Sequence, residues 1–111
     1  MKKNLNMIRG DTLAFMFEVE GLTESLNSCY FSCKKNLSDN EYIFQKKLDE
    51  GITPVEGNKY KVRIAPNDTH DIEVGNYLYD LQIGIGEDIY TIMSGQLNIE
   101  KEITGETYGE L

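Results

Sequence analysis

Apolar and polar residues alternate along this chain with a period of two, the repeat of a strand with one face to a core and one to solvent. Leu13, Phe15, Phe17 and Val19 alternate with Thr12, Ala14, Met16 and Glu18, and Cys29, Phe31 and Cys33 with Tyr30, Ser32 and Lys34. Tyr60, Val62 and Ile64 alternate with Lys59, Lys61 and Arg63. Tyr77, Tyr79, Leu81, Ile83 and Ile85 alternate with Leu78, Asp80, Gln82 and Gly84. A helical period of 3.6 does not compete with this pattern, so the expectation is all-β.

Three weaker segments add to the four. Leu5 to Ile8 and Tyr42 to Leu48 read as short strands, and Ile89 to Ile99 as a last strand with a bulge or bend near Ser94-Gly95. Turn chemistry separates them at Gly10-Asp11, Gly21, Asn36 to Asn40, Gly51, Gly57-Asn58, Gly75-Asn76 and Gly84 to Asp88. Pro66 to Thr69 has room for about one helical turn and reads as a connector. The chain of 111 residues is one domain in size. About seven to eight strands, with turns roughly every 8 to 12 residues, predict an Ig-like antiparallel β-sandwich. It is expected to span residues 1–103, with 104–111, rich in glycine and poor in apolar residues, as a flexible C-terminal tail; fraying is expected to begin at Glu102.

Asp71 to Tyr79 matches the corner that opens the sixth strand of such sandwiches, where a tyrosine hydroxyl bonds a backbone group a few residues upstream. Tyr77 is the candidate, with Tyr79 where antibody domains place a core cysteine. The alternative is that Tyr77 is an ordinary half-buried strand aromatic. The two cysteines, Cys29 and Cys33, are four apart on one strand, roughly 13 Å between Cα atoms, too far for a disulfide; two buried free thiols are expected.

Few residues suggest chemistry. A single histidine and no Cys-x-x-Cys argue against a metal site. Asp68, His70 and Asp71 form a polar cluster with no nucleophile placed beside it, and satisfying backbone donors in the connector is the better reading. Gly84-Ile85-Gly86 lacks a third glycine and runs into Glu87-Asp88, so it is a hairpin turn rather than a phosphate loop. Arg9-Gly10-Asp11 spells an integrin-type tripeptide but reads as a turn. No catalytic residue, metal or cofactor is expected, and the chain reads as a non-enzyme.

A net charge of −8 opposes nucleic-acid binding through the overall field. No apolar run is long enough for a transmembrane helix and no signal peptide is visible, so no membrane partner and a cytoplasmic location are expected. The charge is segregated: residues 1–64 carry ten Lys/Arg against nine Asp/Glu, residues 65–111 one Lys against ten Asp/Glu. Lys59, Lys61 and Arg63 form a basic row on one strand's outer face. This is either ordinary solubilising charge or one of two complementary faces of a self-associating subunit. With Tyr60, Tyr77 and Tyr79 on the inward period, Tyr30, Tyr42 and Tyr90 remain as candidate surface aromatics, of the kind enriched in protein interfaces.

Arg9-Gly10-Asp11-Thr12 with Phe15 and Phe17, Phe44-Gln45-Lys46 with Leu48, Tyr60 to Ile64 and Asp68-Thr69 form one series of motifs. Gly75 to Gln82, Thr91-Ile92, Gly95, Leu97, Ile99 and Ile103-Thr104 continue it. With this series the chain resembles the small Ig-like β-sandwich structural proteins of phages and prophages of Gram-positive bacteria, and is similar to the N-terminal domain of the baseplate upper protein family. The resemblance implies a virion part (baseplate, tail, neck or head decoration) that forms in the host cytoplasm, binds other virion proteins, can form homo-oligomers and has no catalytic residues. The competing function is a carbohydrate or cell-surface binding module.

Overall fold

The computed structural model describes residues 1–104, so the expected tail, apart from Thr104, lies outside the described residues. Eight strands form: β1 (Leu5–Ile8), β2 (Leu13–Glu18), β3 (Ser28–Lys34), β4 (Phe44–Leu48), β5 (Gly51–Pro54), β6 (Lys59–Ile64), β7 (Gly75–Ile85) and β8 (Asp88–Glu100). One helical turn, α1 (Pro66–Thr69), links β6 to β7. Proline opens it, and the Asp68 carboxylate accepts the Ala65 N–H at 2.7 Å, closing the turn on itself.

The strands hydrogen-bond in the continuous order β1-β8-β7-β3-β4-β5-β6-β2. Four strand steps separate β3 from β2, roughly 19 Å in a flat sheet. Yet the rings of Phe31 on β3 and Phe15 on β2 lie 5.8 Å apart, edge to face. The sheet is therefore folded over into an Ig-like sandwich, with β1-β8-β7-β3-β4 as one layer and β5-β6-β2 as the other.

The fold occurs between β4 and β5. Asp49 takes a positive φ of 67° and Gly51 one of 104°, and a Cβ at Gly51 would lie 2.6 Å from the Lys46 side chain. Only glycine takes this φ in so little space, and it lets the chain step from one layer to the other without reversing direction. Gly51, expected as a plain turn, opens β5, a four-residue strand ending at Pro54 that the sequence pattern does not show. It also began β4 early, at Tyr42 rather than Phe44.

Most ladders are antiparallel, with two exceptions: β1 runs parallel to β8, and β4 to β5 across the corner. The bulge expected near Ser94-Gly95 falls at Ile92, two residues before Ser94. The β7–β8 register shifts between Leu81 and Gln82, which face Met93 and Thr91. Gly95 stays paired with Tyr79 in the ladder and must be glycine, because a Cβ there would collide with the Lys3 carbonyl. Its bare backbone lets the N-terminal segment lie against β8, with Lys3 N–H donating to Ser94 O at 2.8 Å.

The inward period fills the space between the layers. Phe31, Ile52, Val62, Ile64, Leu81 and Leu97 are completely buried, each stabilising the fold by about 1.5–3 kcal/mol relative to exposure. Phe31 stacks on Tyr79 (5.2 Å between centroids) and Phe44 (6.1 Å). Cys29 and Cys33 are buried and unbridged.

Tyr77 is buried and its hydroxyl donates to the Glu73 carbonyl at 2.5 Å, four residues upstream. Tyr79, two residues on, donates to the Lys3 carbonyl at 2.6 Å and so ties β7 to the N-terminal segment. Tyr77→Phe is expected to lower stability by about 1–3 kcal/mol with the fold retained, because the Glu73 carbonyl loses its donor. Urea midpoints of the two proteins measure it, and equal midpoints would show that the corner bond adds nothing.

Candidate functional site

Three strands of the wider layer turn their polar period outward and form a shallow groove. Cross-strand register sets its rows: Lys47, Tyr30 and Gln82 in one, Gln45, Ser32 and Asp80 in the next. Lys34 and Leu78 pair in a third. Tyr42 and Leu37, from the loop between β3 and β4, raise one wall. The groove encloses about 490 Å³.

Its side chains are held by one another. Gln45 Nε2 donates to Ser32 Oγ at 2.9 Å. The Lys34 ammonium sits 5.4 Å from the centroid of the Tyr42 ring, within cation–π range. Burial raises the pKa of the Asp80 carboxyl, and the Lys34 charge opposes that shift. Leu37 is 83 % exposed and Tyr42 49 %, so apolar and aromatic surface stands in solvent beside a half-buried acid. Anchoring aromatics ringed by polar groups are the composition of a recognition surface.

Of the residues singled out from sequence, the fold brings Tyr30 and Tyr42 together in this groove. Tyr90 is elsewhere. Its register partner is the inward Ile83, which puts it on the opposite face of the β7–β8 hairpin from Tyr30. Lys59, Lys61 and Arg63 lie on the outer face of the narrower layer, between β5 and β2, with Lys61 and Arg63 exposed. Sequence reasoning missed Leu37, Gln45, Leu78, Asp80 and Gln82 as site residues. The available signal was Leu78, an apolar residue in an otherwise polar outward period.

The remaining candidates serve the fold. The Asp68 carboxylate pairs with Lys46 at 2.7 Å besides closing α1. His70 Nε2 lies 3.2 Å from an Asp71 oxygen. Thr69, fully buried, accepts the Gly10 N–H at 2.8 Å and anchors the β1–β2 turn. Arg9 of the integrin-type tripeptide grips Glu102 through Nε and Nη2, the shortest contact 2.7 Å, and donates from Nη1 to the Ile72 carbonyl. Glu102, expected to be frayed, is thus held against β1. Among the described residues no group of three or more His, Cys, Asp or Glu side chains is placed to hold a metal ion. Nor is any helix among them long and apolar enough to cross a membrane.

No family model matches this sequence, and no curated protein matches it. Among solved structures the chain is similar to an extracellular domain of the voltage-gated sodium channel beta4 subunit. Identity is 12 %, the match covers 92 % of this chain and 93 % of that one, and the TM-score is 0.46. That domain forms parallel homodimers linked to a role in cell–cell adhesion. A likeness of this degree transfers neither property.

Proposed function

We propose that the chain is a non-enzymatic structural protein of phage or prophage particles, holding its neighbours through protein–protein contacts made by the outer face of β4, β3 and β7. The observation that carries this reading is the groove: exposed Tyr42 and Leu37 beside Tyr30 and Leu78, with Lys34, Asp80 and Gln82 for orientation. The sequence resemblance to virion sandwiches supplies the setting, assembly in the host cytoplasm and residence in the particle.

The test is particle composition. Purified particles are expected to contain the chain at a fixed copy number. The double variant Leu37→Glu, Tyr42→Glu, at exposed positions that leave the core alone, is expected to be depleted from them by about tenfold or more, the equivalent of about 1.4 kcal/mol. Particles without the chain, or equal incorporation of the variant, would reject the reading. The carbohydrate alternative draws on the Tyr42 ring beside Asp80 and Gln82. Saturable perturbation of those residues by a cell-wall polysaccharide, in a chain that particles lack, would favour it.

A further inference from the structure

Among the described residues the two layers are unequal, five strands against three, and no strand of these residues lies beside the outer edge of β2. The ladder itself shows which backbone groups face it. Val19 N–H donates to the Asn58 carbonyl across the β2–β6 pair at 3.0 Å. By the alternation of an antiparallel ladder, Phe17, Phe15 and Leu13 turn their backbone groups toward β6 as well. The N–H and C=O of Ala14, Met16 and Glu18 therefore point away from β6, to the edge where no strand among the described residues pairs.

An opening of about 360 Å³ runs along that edge. Phe15 and Phe17 of β2 wall it, and Leu81, Ile92, Met93 and Leu5 of the wider layer line its floor and far side. Met16, on the edge strand, is 56 % exposed. Unpaired backbone beside an apolar recess is the arrangement that accepts an added strand. The β2 of a second copy does not fit, because that copy's wider layer would run under the seam into the space of β8 and β1. A single extended segment, with no sheet behind it, does.

Charge selects the segment. On the outer face, Ala14 pairs with Arg63 and Met16 with Lys61, so the basic row lies one strand in from the free edge. Ala14 is too small to screen Arg63, and an acidic side chain on a strand added beside Ala14 can reach across it to the guanidinium.

We propose that the free edge of β2 is an acceptor site for an extended strand of a partner protein. That strand alternates apolar residues, seated in the recess, with acidic residues lying over Ala14 and Met16 toward Arg63 and Lys61. This site is on the narrower layer and stands independently of the groove on the wider one.

The probe is a capped peptide of about nine residues alternating isoleucine with glutamate, a common strand length. It is titrated into isotope-labelled protein and followed by amide shifts and hydrogen exchange. Saturable binding is expected, with exchange at Ala14, Met16 and Glu18 slowed about tenfold or more. The same peptide with lysine for glutamate is expected to bind at least about tenfold more weakly. Met16→Pro removes an N–H that β6 does not use, so the fold is expected to persist while binding is lost. Arg63→Glu, at an exposed position, provides a second readout: the preference for the glutamate peptide is expected to reverse. Unprotected β2 amides at millimolar peptide, perturbation confined to the groove, or equal binding of both peptides would each overturn the proposal.

Discussion

Phe31→Ala is expected to destabilise the domain by about 3–5 kcal/mol, the usual range for emptying a fully buried phenylalanine site. Phe31 is completely buried and its ring meets those of Phe15, Phe44 and Tyr79. Those rings come from β2, β4 and β7, so both layers lose a contact and neither can close the gap alone. In a domain of this size each kcal/mol moves the melting temperature by about 4–8 °C, giving a fall of at least about 12 °C. Thermal unfolding measures it beside Lys61→Ala, an outward substitution on β6 expected to stay within about 0.5 kcal/mol of wild type. A Phe31→Ala loss no larger than the Lys61→Ala change would mean that the layers are not joined through this ring.

Alkaline pH is expected to unfold the protein, through its thiols. Burial pushes the pKa of both Cys29 and Cys33 up from 9.0 to about 12. A folded pKa above the unfolded one means that the native state keeps the proton which the unfolded state releases. The stabilisation is complete below pH 9 and is lost as pH rises from about 9 to about 12. The limiting slope is about 1.4 kcal/mol per pH unit for each thiol, about 2.7 for the pair. Burial raises the Tyr77 and Tyr79 hydroxyls in the same direction. Urea midpoints between pH 8 and pH 11 should fall accordingly, and Cys29→Ala with Cys33→Ala should flatten the decline. At pH 8 neither thiol is expected to react with a thiol reagent until the chain unfolds. An unchanged slope in the double variant would remove the thiols as the cause.

The strands legible in the sequence were those whose two faces see different solvents. Tyr60, Val62 and Ile64 against Lys59, Lys61 and Arg63 is such a pattern, and β6 spans those residues. β5 was illegible because four residues with one buried side chain, Ile52, carry no period. The bulge was legible to within two residues: Gly95 signals a break in any strand, the register slips at Ile92, and the glycine itself answers to the Lys3 carbonyl packed against it. The groove was half legible. Tyr30 and Tyr42 stood out by type, but Asp80 and Gln45 are ordinary outward polar residues until register sets them on either side of Ser32. Which side of β2 lacks a neighbour is a property of strand order, and no local pattern encodes it.

The pairing of β1 with β8 has a consequence for the order of events during synthesis. Leu5 to Ile8 lie alongside Leu97 to Glu100, and the Met1 amine donates to the Ile92 carbonyl. β1 is made before its partner and has no place to dock until β8 has left the ribosome. Its apolar residues must wait through the translation of about ninety others, roughly 5–20 s at common elongation rates. In that interval β7 has a free edge, lacking the strand that pairs with it across eleven registered positions. Closure of this edge of the wider layer thus waits for β8, the last strand of the sandwich to be made.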